Sequence, residues 1–289
     1  RILQVTPRLS PEYGGGGVLI AATLAKELAK RGHTIHIWTS DFGFDANYAL
    51  SIHEDIKFGV WESKVNIASL HITPDLIWNA GKLVPEFDVI HMQGCRTFQN
   101  IVVRHYAKKY KIPYIVDAHG FPIEGTWLRQ LFIRLFDALF GNRIVKDATV
   151  CVAESQTGVE EYKRAGVDES KIVVMPCPYD LSLFDSLPEK GQFKNKNGLD
   201  GKKVVLFLGG LDYIKGLDFL VKAFAKLEYK DAVLVLVGPD WGYEKVLRTM
   251  VKDLGIRDKV LFTGYLGGKD KFEAFVDADV AVFPPRAEQ

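Results

Sequence analysis

Short β-rich apolar runs alternate with longer segments of helical period along nearly the whole chain, and this rhythm restricts the fold more than any other feature. Ile2–Thr6, Thr34–Thr39, Val65–Ile72, Asp88–Met92, Pro113–Asp117, Thr149–Ala153 and Lys171–Met175 read as strands. Val18–Arg31, Thr97–Tyr110 and Ser155–Arg164 read as helices, with Gly32 and Gly166 as stops for the first and last. Strands and helices in this order build β-α-β units and a parallel sheet. Between Pro176 and Lys202 the rhythm breaks, with three prolines and the polar run Lys190–Asn197. It restarts with strands at Lys203–Leu208, Ala232–Val237, Val260–Phe262 and Asp279–Phe283, and helices at Leu217–Lys226, Glu244–Leu254 and Lys269–Val276. The fold class is therefore α/β, with one domain at residues 1–178, a linker at 179–201 and a second domain at 202–289. The second round holds fewer strands than the roughly five or six of a doubly wound domain. That domain is expected to be incomplete here and to continue for roughly 80 to 100 residues. The first residue is Arg1, so the natural start is expected just upstream.

Composition agrees. A length of 289 residues suits two domains at about 150 residues each. The 47% hydrophobic and 25% charged residues match globular proteins and exclude disordered or collagen-like chains. The net charge of +1 gives no reason to expect nucleic acid as the main partner. Cys95, Cys151 and Cys177 lie far apart and form no metal-binding spacing, which suits a reducing cytoplasm. No run approaches the roughly 18 to 20 apolar residues of a membrane span.

Ligands of parallel α/β sheets bind beyond the carboxyl ends of the strands. After the first strand comes Gly14-Gly15-Gly16-Gly17, read as a loop with a helix beginning near Val18. Such a run lets backbone amides approach an anion at a helix N-terminus. Neither a dinucleotide fingerprint nor a phosphate-loop Lys-Ser/Thr follows it. A plain flexible turn is the simpler alternative. His119 stands at the end of the Tyr114–Asp117 strand, where an imidazole can bond a substrate hydroxyl or phosphate, or shuttle a proton. A structural or merely exposed histidine is the competing reading. Gly209 and Gly210 permit a tight turn, and Lys215 then sets an ammonium at a helix N-terminus, where the dipole repels cations. A bound diphosphate would compensate, and a solvated lysine is the alternative. Glu288 follows the last strand and offers a carboxylate to sugar hydroxyls.

With these motifs in place, the chain resembles the large family of retaining, nucleotide-sugar-dependent glycosyltransferases of the two-Rossmann-domain (GT-B) type, family 4-like. The resemblance covers nearly the whole chain. It rests on the glycine loop and helix closed by Leu28-Ala29-Lys30-Arg31-Gly32-His33, and on Asp117-Ala118-His119-Gly120. Ala153-Glu154-Ser155 with Lys171–Pro176, Phe207–Gly216, and Ala278–Pro284 with Glu288 complete it. It implies two Rossmann-like domains facing across a cleft and transfer of a sugar from a nucleoside diphosphate to a hydroxyl, with retained configuration. The acceptor would be a sugar, a glycan or a lipid-linked glycan. The resemblance further implies that Gly16 and Gly17 lie near the donor phosphates, with Gly209, Gly210 and Lys215 also at the donor diphosphate. His119 would lie near the transferred sugar, and Glu288 would be the first glutamate of a donor-binding pair. His119 and Glu288 are the catalytic candidates. No cofactor or metal is expected, because cations and helix dipoles can stabilise the leaving group. Three departures stand out. Gly210 replaces the family's arginine, Cys177-Pro178 replaces Asn-Gly, and the second glutamate would fall beyond Gln289. A nucleotide-sugar epimerase or phosphorylase on the same fold, or a non-catalytic relative that only binds, are the alternatives.

One segment stands apart. Between Thr126 and Phe140 nearly every residue off one polar face is apolar, and Arg129, Arg134, Arg143 and Lys146 lie in or beside it. The plain reading is a helix packed on the sheet; the other is peripheral contact with the inner face of a membrane. Burial of Trp127, Phe132, Phe136 and Phe140 separates the two.

Overall fold

The apolar runs become strands because a parallel sheet covered by helices on both faces buries them from both sides. The computed structural model describes residues 1–67, 70–120 and 127–286. They form two compact units, Arg1–Tyr179 and the chain from Asp180 onward.

The strands of the first unit are β1 (Ile2–Val5), β2 (Ile35–Ser40), β3 (Lys57–Trp61), β4 (Val65–Ile67), β5 (Leu70–Ile72), β6 (Val89–Gln93), β7 (Tyr114–Asp117), β8 (Val150–Ala153) and β9 (Ile172–Val174). Its helices are α1 (Pro11–Lys30), α2 (Ala46–Ile52), α3 (Pro74–Leu83), α4 (Phe98–Tyr110), α5 (Trp127–Phe136), α6 (Asn142–Asp147) and α7 (Gln156–Arg164). Seven strands pair in parallel in the order β3-β2-β1-β6-β7-β8-β9. One face packs Leu3, Val5, Ile90, Met92 and Val116 against α3, α4, α6 and α7. The other packs Ile35 and Ile37 against α1 and α2.

Two elements differ from the sequence reading. β3 joins the main sheet although Lys57 and Gly59 interrupt its apolar run. A Cβ on Gly59 would lie 2.7 Å from Trp38 Cδ1, so the glycine makes room for that indole. Val65–Ile72 is not one sheet strand. β4 and β5 form a separate antiparallel ladder.

The second unit contains α8 (Gln192–Lys196), β10 (Lys203–Leu208), α9 (Leu217–Ala225), β11 (Ala232–Val237), α10 (Glu244–Asp253), β12 (Val260–Gly264), α11 (Gly268–Asp277) and β13 (Val280–Ala281). Its parallel sheet runs β12-β11-β10-β13. Every residue of β11 is buried. Gly191 and Lys194 donate backbone N–H groups to the Asp277 carboxylate, and Phe193 and Leu199 sit in this unit's core. Among the described residues no helix is long and apolar enough to cross a membrane.

Candidate active site

At the carboxyl ends of β6, β7 and β8, side chains from three neighbouring strand ends meet around His119. The Tyr162 hydroxyl, carried by α7, donates to Val116 O (3.2 Å) and accepts from Ala118 N (2.9 Å). It pins the turn that follows β7. His119 itself takes φ +53, a left-handed backbone that a non-glycine residue rarely adopts. Its Nδ1 lies 2.8 Å from Glu154 Oε1 and 3.3 Å from Asp117 Oδ1, and its Nε2 lies 2.5 Å from Gln93 Oε1. Gln93 Nε2 turns towards His91 Nε2 at 3.4 Å.

Both ring nitrogens of His119 thus face oxygen acceptors, the arrangement of an imidazolium. Burial alone would lower its pKa. The hydrogen bond to Glu154 and the charges of Asp117 and Glu154 outweigh that and raise it above the ordinary imidazole range. The bond to His119 holds Glu154 below the usual carboxylate range. Burial, with Glu154 nearby, lifts Asp117 although His119 opposes it. His91, desolvated and repelled by His119, falls to about 4 and is neutral at pH 7. Partial burial and the Glu154 carboxylate push the Cys177 thiol up to about 11.

Asp117, His119 and Glu154 offer ligand atoms within 4.8 Å of one another, close enough to share a cation. Two carboxylate oxygens lie against Nδ1, at 2.8 and 3.3 Å, so a cation bound between them through that nitrogen would displace these contacts.

The glycine run is helical on both sides of a break at Gly15 (φ +57, ψ −144), with α1 beginning at Pro11 rather than near Val18. The break gives α1 a second N-terminus at Gly16. Space beside the Gly16 Cα is open, and a Cβ on Gly17 would lie 3.4 Å from His119 Cδ2. The structure therefore brings Gly17 and His119 together.

In the second unit, Gly209 N donates to Val237 O and Leu211 N to Pro239 O, tying the ends of β10 and β11 together. A Cβ on Gly210 would lie 2.2 Å from Trp241 Cε3, so an indole fills the space beside the position where the resemblance places an arginine. Lys215 ends the 3-10 turn Tyr213–Lys215, one residue before the Gly216 cap of α9 (φ +65). Arg286 N donates to Ile214 O and its Nε to Tyr213 O. Its guanidinium lies 3.9 Å from the Tyr213 ring centre and pairs with Asp218. Arg286 thus clamps the turn that carries Lys215. Glu288 lies outside the described residues.

Sequence reasoning assigned no role to Gln93, Glu154, Trp241 or Arg286. Each lies at or just beyond a strand's carboxyl end, the signal that selected His119.

The sequence profile of Glycosyltransferase Family 4 matches residues 14–183, more than half of the chain, and that of Glycosyl transferases group 1 matches residues 189–289. The chain belongs to glycosyltransferase family 4. It is a glycosyltransferase of the GT-B fold. An uncharacterized glycosyltransferase of Methanocaldococcus jannaschii is 27% identical to it, over 98% of this chain and 74% of the relative. N-acetyl-alpha-D-glucosaminyl L-malate synthase of Bacillus anthracis is 26% identical, over 88% of this chain and 66% of the relative. Among solved structures, Anabaena HepE in complex with UDP and glucose superposes with a TM-score of 0.81 at 18% identity, covering 100% of this chain and 75% of HepE. That likeness concerns the fold.

Proposed function

We propose that this glycosyltransferase moves a sugar from a nucleoside-diphosphate donor to a hydroxyl acceptor with retained configuration and without a metal. The reaction makes two demands, and each is met within one unit. A departing diphosphate needs positive charge. In the second unit, Gly209 and Gly210 shape the turn, and Lys215 and the N-terminus of α9 supply the charge. A sugar that gains oxocarbenium character needs its hydroxyls held. In the first unit, the His119 Nε2–H, which meets Gln93 Oε1 in the free protein, would turn to a sugar hydroxyl when the donor binds, and the N-terminus at Gly16 and Gly17 favours negative charge beside it. Glu288 is proposed as a further sugar ligand. The UDP and glucose bound to HepE support a nucleotide-sugar donor.

The observation that carries this reading is His119 itself: an imidazole beside Gly17, held by Glu154 and Gln93 on a left-handed backbone. Proton NMR of the product's anomeric coupling tests the stereochemistry, with chelator present throughout. Retention at an undiminished rate is expected. An inverted anomer, or activity lost to the chelator, overturns the proposal.

A further inference from the structure

The amphipathic segment of the first unit faces the wrong way for a core helix. On α5, Trp127, Leu128, Leu131 and Leu135 share one face at helical spacing, and they are 71%, 60%, 57% and 56% exposed. Phe136 is buried on another side, and Gln130 is half-buried. The bidentate pair of Arg96 with Asp137 (2.9 and 2.7 Å) fixes the segment's rotation at its C-terminal end. Leu139 and Phe140 extend the exposed apolar surface through a single π turn, Asp137–Gly141. A contiguous apolar patch of this kind on a protein surface marks an interaction site.

Charge identifies the partner. Arg129, Arg134, Arg143 and Lys146 are exposed in the same segment. Its only acids, Asp137 and Asp147, are engaged by Arg96 and by Arg104 and Lys108. The patch is therefore bordered by exposed basic side chains. Apolar and aromatic residues flanked by cations suit the interface of a bilayer with anionic headgroups.

We propose that the Trp127–Phe140 face docks this protein onto an anionic lipid surface. The proposal goes beyond the sugar-transfer reading and stands whether or not that reading holds. Co-sedimentation of the full chain with vesicles of equal phosphatidylglycerol and phosphatidylcholine is the test. The wild type should pellet with them, more weakly at high salt, and poorly with phosphatidylcholine alone. Leu131→Ser/Leu135→Ser should weaken binding by about ten-fold or more while thermal unfolding stays in place, since both leucines are exposed. Trp127 should shift its emission to the blue on binding, a shift that Trp127→Phe removes. Failure of the wild type to pellet at low salt overturns the proposal. So does equal pelleting of the leucine variant, or a wild-type dimer that the variant dissolves with no vesicle binding in either.

Discussion

A single imidazole organises the first unit's candidate site, and two carboxylates, Glu154 and Asp117, favour its charged form. His119 has a raised pKa in the folded state, so its ionisation adds stability below the ordinary imidazole value and loses it as pH rises through the folded value. Glu154 has the opposite sign: its contribution holds above the ordinary carboxylate value and fades as pH falls through the lowered one. Glu154→Gln should therefore bring the His119 midpoint down, read from the ring Cε1–H shift across a pH titration. An unmoved midpoint would show that Glu154 does not set the charge. On the second unit, Lys215→Ala should cost about 1.5–3 kcal/mol in nucleoside-diphosphate affinity by calorimetry, the range for hydrogen bonds to a charged group. Unchanged affinity would remove Lys215 from the diphosphate site.

At the level of elements, α7 braces β7 through one hydroxyl. Tyr162→Phe leaves Ala118 N–H and Val116 C=O without that partner in a buried setting. A loss of about 1–3 kcal/mol is expected from denaturant unfolding, together with a weaker His119–Glu154 coupling in the same NMR titration. Strand ends at Asp117, Ala153 and Leu208 were legible because apolar period reports burial, and parallel sheets bury whole runs. β3 was not, because Lys57 and Gly59 disguise a strand whose place depends on pairing with β2 and on the Trp38 ring. The start of α1 was hidden for a related reason. Glycines read as loop, yet the backbone is helical on both sides of Gly15. His119 could be picked out by its place at a strand end. Gln93 and Glu154 could not be given roles, since these depend on β6, β7 and β8 lying side by side.

Taken whole, the chain has separate cores for its two units, so calorimetry should resolve two transitions. If the donor is held mostly by the second unit, UDP at about 100 times its Kd should raise that unit's stability by about 2.7 kcal/mol. The other transition should stay nearly fixed. A shift confined to the first unit's transition would reverse the assignment. The contact between Gly216 and Pro284 has a consequence on a longer timescale. A Cβ at 216 would lie 1.9 Å from the Pro284 carbonyl oxygen. Neither segment is free to drift without the other. Lineages descending from this protein should keep the glycine for as long as they keep the path of the chain at Pro284. Any that abandon it should carry a rebuilt segment there, so the two positions would be inherited as a pair.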